Sequence, residues 1–154
     1  MAVFLLDANV LIALAWPEHE FHEKVGRWFA RHTRAGWATC PFTQAAFVRV
    51  LSNAAFSADA LTPENALRVL ESNLSLPGHH FWADSISVPE ALRSIGVQLT
   101  GHRQITAAYL VGLAIQHKGR FATLDKGIGA LGGGITVEVI EYPRQGGRYP
   151  CLFT

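Results

Sequence analysis

The chain of 154 residues is 49% hydrophobic and 16% charged, which suits one globular domain spanning residues 1–154 with a buried core. Mean hydropathy is +0.18, yet no apolar run reaches the roughly 20 residues of a membrane-spanning helix. The apolar start is broken by Asp7 and carries no basic leader, so no membrane association is expected and a cytoplasmic location is. Net charge is +1, from 13 Lys+Arg against 12 Asp+Glu, which does not by itself announce a nucleic-acid binder; ten of the basic residues are arginine, the side chain suited to gripping phosphate with two hydrogen bonds.

In chain order, Val3 to Leu6 is a short apolar run ending in Asp7, and Gly36 to Cys40 and Arg120 to Leu124 have the same character. Such runs suit strands buried on both faces of a parallel sheet. Glu18 to His32 places Phe21, Val25, Trp28 and Phe29 at helical spacing. Thr43 to Leu51 reads as a helix capped by Thr43, and Thr62-Pro63-Glu64 starts another. His102 to Lys118 is a further helix, stopped by Gly119. The glycines 132–134 form a turn into Ile135 to Ile140, whose alternation marks a half-exposed edge strand. Strands alternating with helices define an α/β domain with a mainly parallel sheet flanked by helices.

In such a sheet, ligand sites form where strands end and helices begin. Asp7 and Asp125 each follow an apolar strand, so both emerge at the same edge. Either one alone reads as a helix cap or turn residue. Two carboxylates at one edge suggest a divalent cation site for Mg2+ or Mn2+, which take oxygen ligands and retain waters.

Four blocks carry a resemblance: LLDANVLIAL (5–14), TCPFTQAAFVRVLSN (39–53), GHRQITAAYLVGLA (101–114) and GRFATLDKGI (119–128). Together and in this order they resemble the PIN-domain ribonucleases, and more narrowly the VapC-type toxins of bacterial toxin–antitoxin pairs, over about residues 3–140. The segment His79-His80-Phe81-Trp82-Ala83-Asp84 is also similar to what many such toxins carry. The resemblance implies a PIN-like doubly wound sheet, and an endoribonuclease in which four acids hold Mg2+ and water is activated to hydrolyse RNA. It further implies a small VapB-like antitoxin lying along the active-site groove, and a homodimer. Asp7 matches the first acid, supported by Asn9, and Asp125 matches the last, with Thr123 at the accompanying strand end.

The other two acid positions depart from the pattern, with Gln44 in place of a glutamate and Ala107 in place of an aspartate. Gln44 retains a carbonyl oxygen without formal charge, and Ala107 offers no ligand. Outer-shell partners alone are worth about 10 to 100-fold in metal affinity or activity, so losing two direct ligands predicts inactivity or strong weakening. Such changes fit either a deliberately disarmed nuclease or a natural PIN-like module that holds RNA or an antitoxin without cutting. The reading as an unrelated nucleotide-binding α/β domain lacks support, because no glycine-rich phosphate loop follows the first strand of this chain.

Other features read more plainly. Cys40 and Cys151 are too few for a disulfide framework or a paired zinc site and are expected as reduced thiols. His19 to Glu23 mimics a zinc-protease pattern with its histidines three apart instead of four, and reads as a solvated helix face. Phe81 and Trp82 are expected in the core, with RNA stacking as the other reading. Arg27, Arg31 and Arg34 form an exposed face partly paired with Glu20 and Glu23, the other reading being an RNA track. Arg49 and Arg103 flank the blocks that lead into the site and are the candidates for contact with an RNA phosphate, with the acidic groups there, or with the antitoxin. The carboxyl-terminal EYPRQGGRYPCLFT packs on the sheet or joins a dimer interface.

Overall fold

The computed structural model describes residues 1–96, 98–132 and 136–141. Gly133, Gly134 and Ile135 of the expected turn and strand, Cys151, and residues 142–154 of the carboxyl-terminal stretch lie outside them.

Five short strands, β1 (Phe4–Leu6), β2 (Trp37–Thr39), β3 (His79–Phe81), β4 (Arg120–Thr123) and β5 (Val137–Val139), form one sheet in the order β3-β2-β1-β4-β5. Every neighbouring pair is parallel, with Phe4 opposite Trp37 on one side and Arg120 on the other. The connections are helical: α1 (Ala8–Ala15) and α2 (His22–His32) link β1 to β2, and α3 (Pro41–Leu51) and α4 (Pro63–Leu74) link β2 to β3. Then α5 (Val88–Ser94), a 3-10 turn at His102–Gln104 and α6 (Ile105–Gln116) carry the chain across to β4. A second 3-10 segment, Lys126–Gly132, precedes β5.

Alternation of side chains along the strands divides the core in two. Phe4, Leu6, Trp37 and Ala122 point to the face covered by α1 to α4, where they meet Val10, Val25, Trp28, Phe47 and Leu70. Leu5, Ala38 and Phe121 point to the opposite face, where they meet Ala91, Tyr109, Leu113 and Trp82. Both faces of the sheet are therefore dry, which accounts for the unbroken apolar runs of β1, β2 and β4.

Local chemistry explains several boundaries and corrects others. α1 is an element without an expectation, because apolar residues on nearly every side leave no helical period to see; Val10 to Ala13 are all buried. α2 begins only at His22, and residues 17–21 form turns; His22 is no solvated residue, since its Nδ1 lies 2.7 Å from the Ala13 carbonyl oxygen. Thr43 is not the cap of α3. The helix starts at Pro41 behind Cys40, and Thr43, in the first turn, accepts the Cys40 backbone N–H at 3.1 Å. Thr62 does cap α4, accepting the Asn65 N–H at 3.2 Å.

The expected helix 102–118 is split into the 3-10 turn and α6. Its left-handed terminal residue is Lys118 (φ 54°), not Gly119. Gly119 is needed for close packing instead: a Cβ there would sit 2.6 Å from the Trp82 ring and from the Val3 carbonyl oxygen. β3 and α5 are two further elements without an expectation. Within and just after β3, Phe81 is 56% exposed and Trp82 only 7%, so just one of the two aromatics joins the core. Trp82 stacks face to face with His117 at 4.3 Å.

Candidate active site

The strand order creates a switch point: the chain leaves β1 toward β2 on one side and later returns on its other side as β4. Ligands in open α/β sheets bind outside the carboxyl ends of the strands at such a point. Asp7 follows β1, and Asp125 lies just beyond β4, so the two carboxylates flank that crevice.

Asp7 is fixed on three sides. Its backbone N–H donates to the Ala122 carbonyl (2.9 Å), tying the end of β1 to β4. Its Oδ1 caps α1 by accepting the Ala8 N–H at 2.8 Å, and its Oδ2 accepts the Thr123 hydroxyl at 2.7 Å. Burial raises the Asp7 pKa above the ordinary carboxylate range; the bonds from Thr123 and Ala8 oppose that shift, and the charge of Asp125 adds to it.

Thr123, fully buried at the end of β4, is the hub. Besides donating to Asp7, its Oγ1 accepts the Asp125 backbone N–H at 3.1 Å and faces Asn9 Nδ2 at 3.3 Å. Asn9 Oδ1 in turn accepts the Leu124 N–H at 3.1 Å, so Asn9 in α1 clamps the turn that carries Asp125. Asp125 itself is exposed and accepts the Gly127 N–H on Oδ1 at 2.9 Å.

Gln44 and Ala107 approach the same edge from α3 and α6. α3 starts directly after β2 and α6 runs back toward the start of β4, so the amino-terminal turns of both helices stand at the carboxyl ends of the strands. Gln44 Nε2 donates to Thr39 Oγ1 at 2.9 Å, and Thr39 Oγ1 lies 2.8 Å from His79 Nε2. Ala107 is half-buried beside the core of its face.

Both candidate arginines are exposed and without an ion pair among the described residues. Arg103 sits in the 3-10 turn leading into α6, at the carboxyl edge. Arg49 is in the last turn of α3, about 7.5 Å along the axis beyond Gln44 at 1.5 Å per residue, on the side away from the edge. Arg27 pairs with Glu23, and Arg34 lies past the end of α2, so the three arginines do not form one helical stripe.

Thr39, His79 and Asp84 lie within segments that carry the resemblance, but no individual role was assigned to them from the sequence. Asp84, three residues beyond β3, is close enough for its charge to raise the pKa values of Cys40 and Tyr109, in each case after burial as the main cause. Nothing in the sequence separates Asp84 from an ordinary loop aspartate. Thr39 is an unremarkable strand residue until the fold sets it beside His79. Among the described residues, no three His, Cys, Asp or Glu side chains converge as a metal site.

The donor chemistry nevertheless suits a hard cation that keeps most of its waters. Such an ion is often held by one or two carboxylates plus substrate phosphates, and Asp7 and Asp125 are two oxygen donors whose mutual repulsion a cation would relieve.

A doubly wound parallel sheet with carboxylates at its switch point is the architecture of the PIN domain. That family matches residues 4–133, and the chain belongs to it. Within the family it groups with the VapC proteins: it is 40% identical over 138 residues to Ribonuclease VapC39 of Mycobacterium tuberculosis, across 88% of this chain and 98% of that protein. Its fold is shared with the DNA-bound VapBC of Salmonella typhimurium, at a TM-score of 0.60 and 18% identity over 91% of this chain and 99% of that one. It is shared too with Mycobacterium tuberculosis VapC20, described as a sarcin-ricin loop cleaving toxin, at a TM-score of 0.59 and 12% identity over 88% and 98% of the two chains. No described helix is long and apolar enough to cross a membrane.

Proposed function

We propose that this chain is a VapC-type endoribonuclease toxin of a toxin–antitoxin pair, weakened as a catalyst by Gln44 and Ala107. The observation that carries the reading is the Thr123 hub, which holds the Asp7 carboxylate and the Asp125 turn together at the switch point. Asp7 and Asp125 would hold Mg2+ or Mn2+, with Gln44 contributing a neutral oxygen and Ala107 nothing. When bound, the ion would polarise the RNA phosphate and lower the pKa of a water. The chain's own part is to orient: Asn9 and Thr123 fix the two aspartates, and Arg103, and more distantly Arg49, would meet RNA phosphates or a VapB-like antitoxin. A homodimer, a cytoplasmic location and a single PIN-like unit over residues 1–154 belong to the same reading.

A second reading is a PIN-like module that binds RNA or antitoxin without cutting, favoured by the two missing acids. Cleavage of total cellular RNA separates the two, with Mg2+ or Mn2+ and a chelator control, comparing the chain with its Gln44→Glu, Ala107→Asp double variant. Cleavage by the double variant alone, abolished by alanine at Asp7 and Asp125, is the expected result. Cleavage that survives alanine at both aspartates would refute the site, and no cleavage by either protein would favour the binding module.

A further inference from the structure

We infer that Thr39 and His79 form a positioning relay that fixes the Gln44 carboxamide with its nitrogen inward and its oxygen as the free atom at the active-site edge. The inference rests on the reading of that edge given above, and it makes residue 44 a matched part of this fold. Three polar groups stand in line: Gln44 Nε2, Thr39 Oγ1 and His79 Nε2, at 2.9 and 2.8 Å.

Hydrogen counting gives the line a direction. An amide nitrogen can only donate, so Thr39 accepts from Gln44. Thr39 is fully buried, and its own proton needs an acceptor; among the described residues His79 Nε2 is the one within reach. His79 must therefore present a lone pair at Nε2 and carry its proton on Nδ1. The ring is held for that task. His79 pairs with Trp37 across β2 and β3, and the two rings lie 4.7 Å apart at 52°. Trp37 is itself locked by its Nε1–H bond to the Pro77 carbonyl at 3.1 Å. Burial, and then the neighbouring His80, hold the His79 pKa below its ordinary value, in keeping with a neutral ring.

In this tautomer the amide is held against flipping: turning Oε1 toward Thr39 would require Thr39 to donate to it and His79 to donate Nε2–H in its place. With Nε2 retained by Thr39, Gln44 Oε1 is left without a partner among the described residues and is the atom offered to a cation or an RNA hydroxyl. A glutamate at this position could only accept. The line would have to reverse, with Thr39 donating to residue 44 and His79 donating Nε2–H to Thr39. The identity of residue 44 is thus coupled to the tautomer of a histidine two hydrogen bonds away.

Nitrogen-15 NMR of the histidine rings in the full chain tests this without metal or RNA. His79 is expected to show an unprotonated Nε2 and a protonated Nδ1, and the Gln44 side-chain amide protons to exchange slowly. In Gln44→Glu the Nε2 signal should move to the protonated range. Thr39→Ser should keep the original pattern, whereas Thr39→Val should release the tautomer and speed Gln44 amide exchange, which keeps the test open should Gln44→Glu not fold. A protonated Nε2 in the unaltered chain, or a tautomer indifferent to both Gln44→Glu and Thr39→Val, would overturn the relay. Added Mn2+ reports separately: an intact tautomer with Gln44 and Asp7 signals unaffected by the ion supports the relay while counting against the metal site.

Discussion

The Thr123 hydroxyl donates to Asp7 Oδ2 at 2.7 Å across the join between β4 and β1, while its oxygen receives the Asp125 backbone N–H at 3.1 Å. One buried side chain therefore sets the position of both carboxylates. Thr123→Val keeps the shape and removes all three of its hydrogen bonds. Unfolding by urea should show a loss of about 2–3 kcal/mol, the scale of leaving buried polar groups unpaired, and the Asp7 pKa should rise further because a bond that lowers it is gone.

Asp7 makes the fold depend on pH in an unusual sense. Its folded pKa lies above the ordinary value of 3.8, so in the window above that value the folded state holds a proton that the unfolded chain has released. Its contribution to stability is greatest below that window and falls as pH rises through the folded pKa. Urea midpoints measured from pH 3.5 toward neutrality should show this downward component in the unaltered chain and lose it in Asp7→Asn.

The two positions proposed to lack an acid, 44 and 107, are not equivalent. Gln44→Glu must reverse a hydrogen-bonded line, whereas Ala107→Asp adds a carboxylate where Ala107 makes no polar contact. Ala107→Asp alone should therefore recover most of the RNA cleavage of the double variant, a gain of about 10-fold or more on the scale of lost metal-site partners. Thermal melts offer a check independent of catalysis: Ala107→Asp should lower Tm without cation and gain more than the unaltered chain on adding Mn2+.

Glu138 on the edge strand β5 gathers Trp28 Nε1 at 2.9 Å and Arg120 at 3.1 Å, joining α2 to β4 and β5. Trp28→Phe keeps the edge-to-face packing on Phe4 and loses the hydrogen bond. A cost of about 1–2 kcal/mol, or somewhat more because the bond is to a charged group, should appear in denaturant melts. RNA cleavage by the double variant should be unchanged.

The sequence showed the sheet better than the helices, for a physical reason. Strands buried on both faces are apolar throughout, so β1, β2 and β4 stood out as runs. The same uniform burial hid α1, whose residues 10–13 offer no polar face to set a period. β3 was hidden for the opposite reason: as an edge strand with His79 half-buried and His80 and Phe81 exposed, it has no apolar run. At the site, Asp7 and Asp125 stood out because each follows an apolar strand, whereas the support of Asn9 and Thr123 came only from the resemblance of their blocks. Thr39 and His79 did not stand out, since their partnership exists only through strand pairing 40 residues apart.

Gly112 packs α6 against α5 so closely that a Cβ there would lie 2.6 Å from the Ala91 carbonyl oxygen and 2.7 Å from its Cα. Gly112→Ala should accordingly cost about 1–3 kcal/mol in denaturant melts, as overpacking does. This seam also bears on residue 107, five positions earlier on the same helix. Packed this closely on α5, α6 carries residue 107 on an axis that a change of side chain there does not shift. The carboxyl edge of the sheet thus keeps its frame whichever side chain stands at 107, so that Ala107→Asp alters the chemistry of that edge and leaves its scaffold as it was.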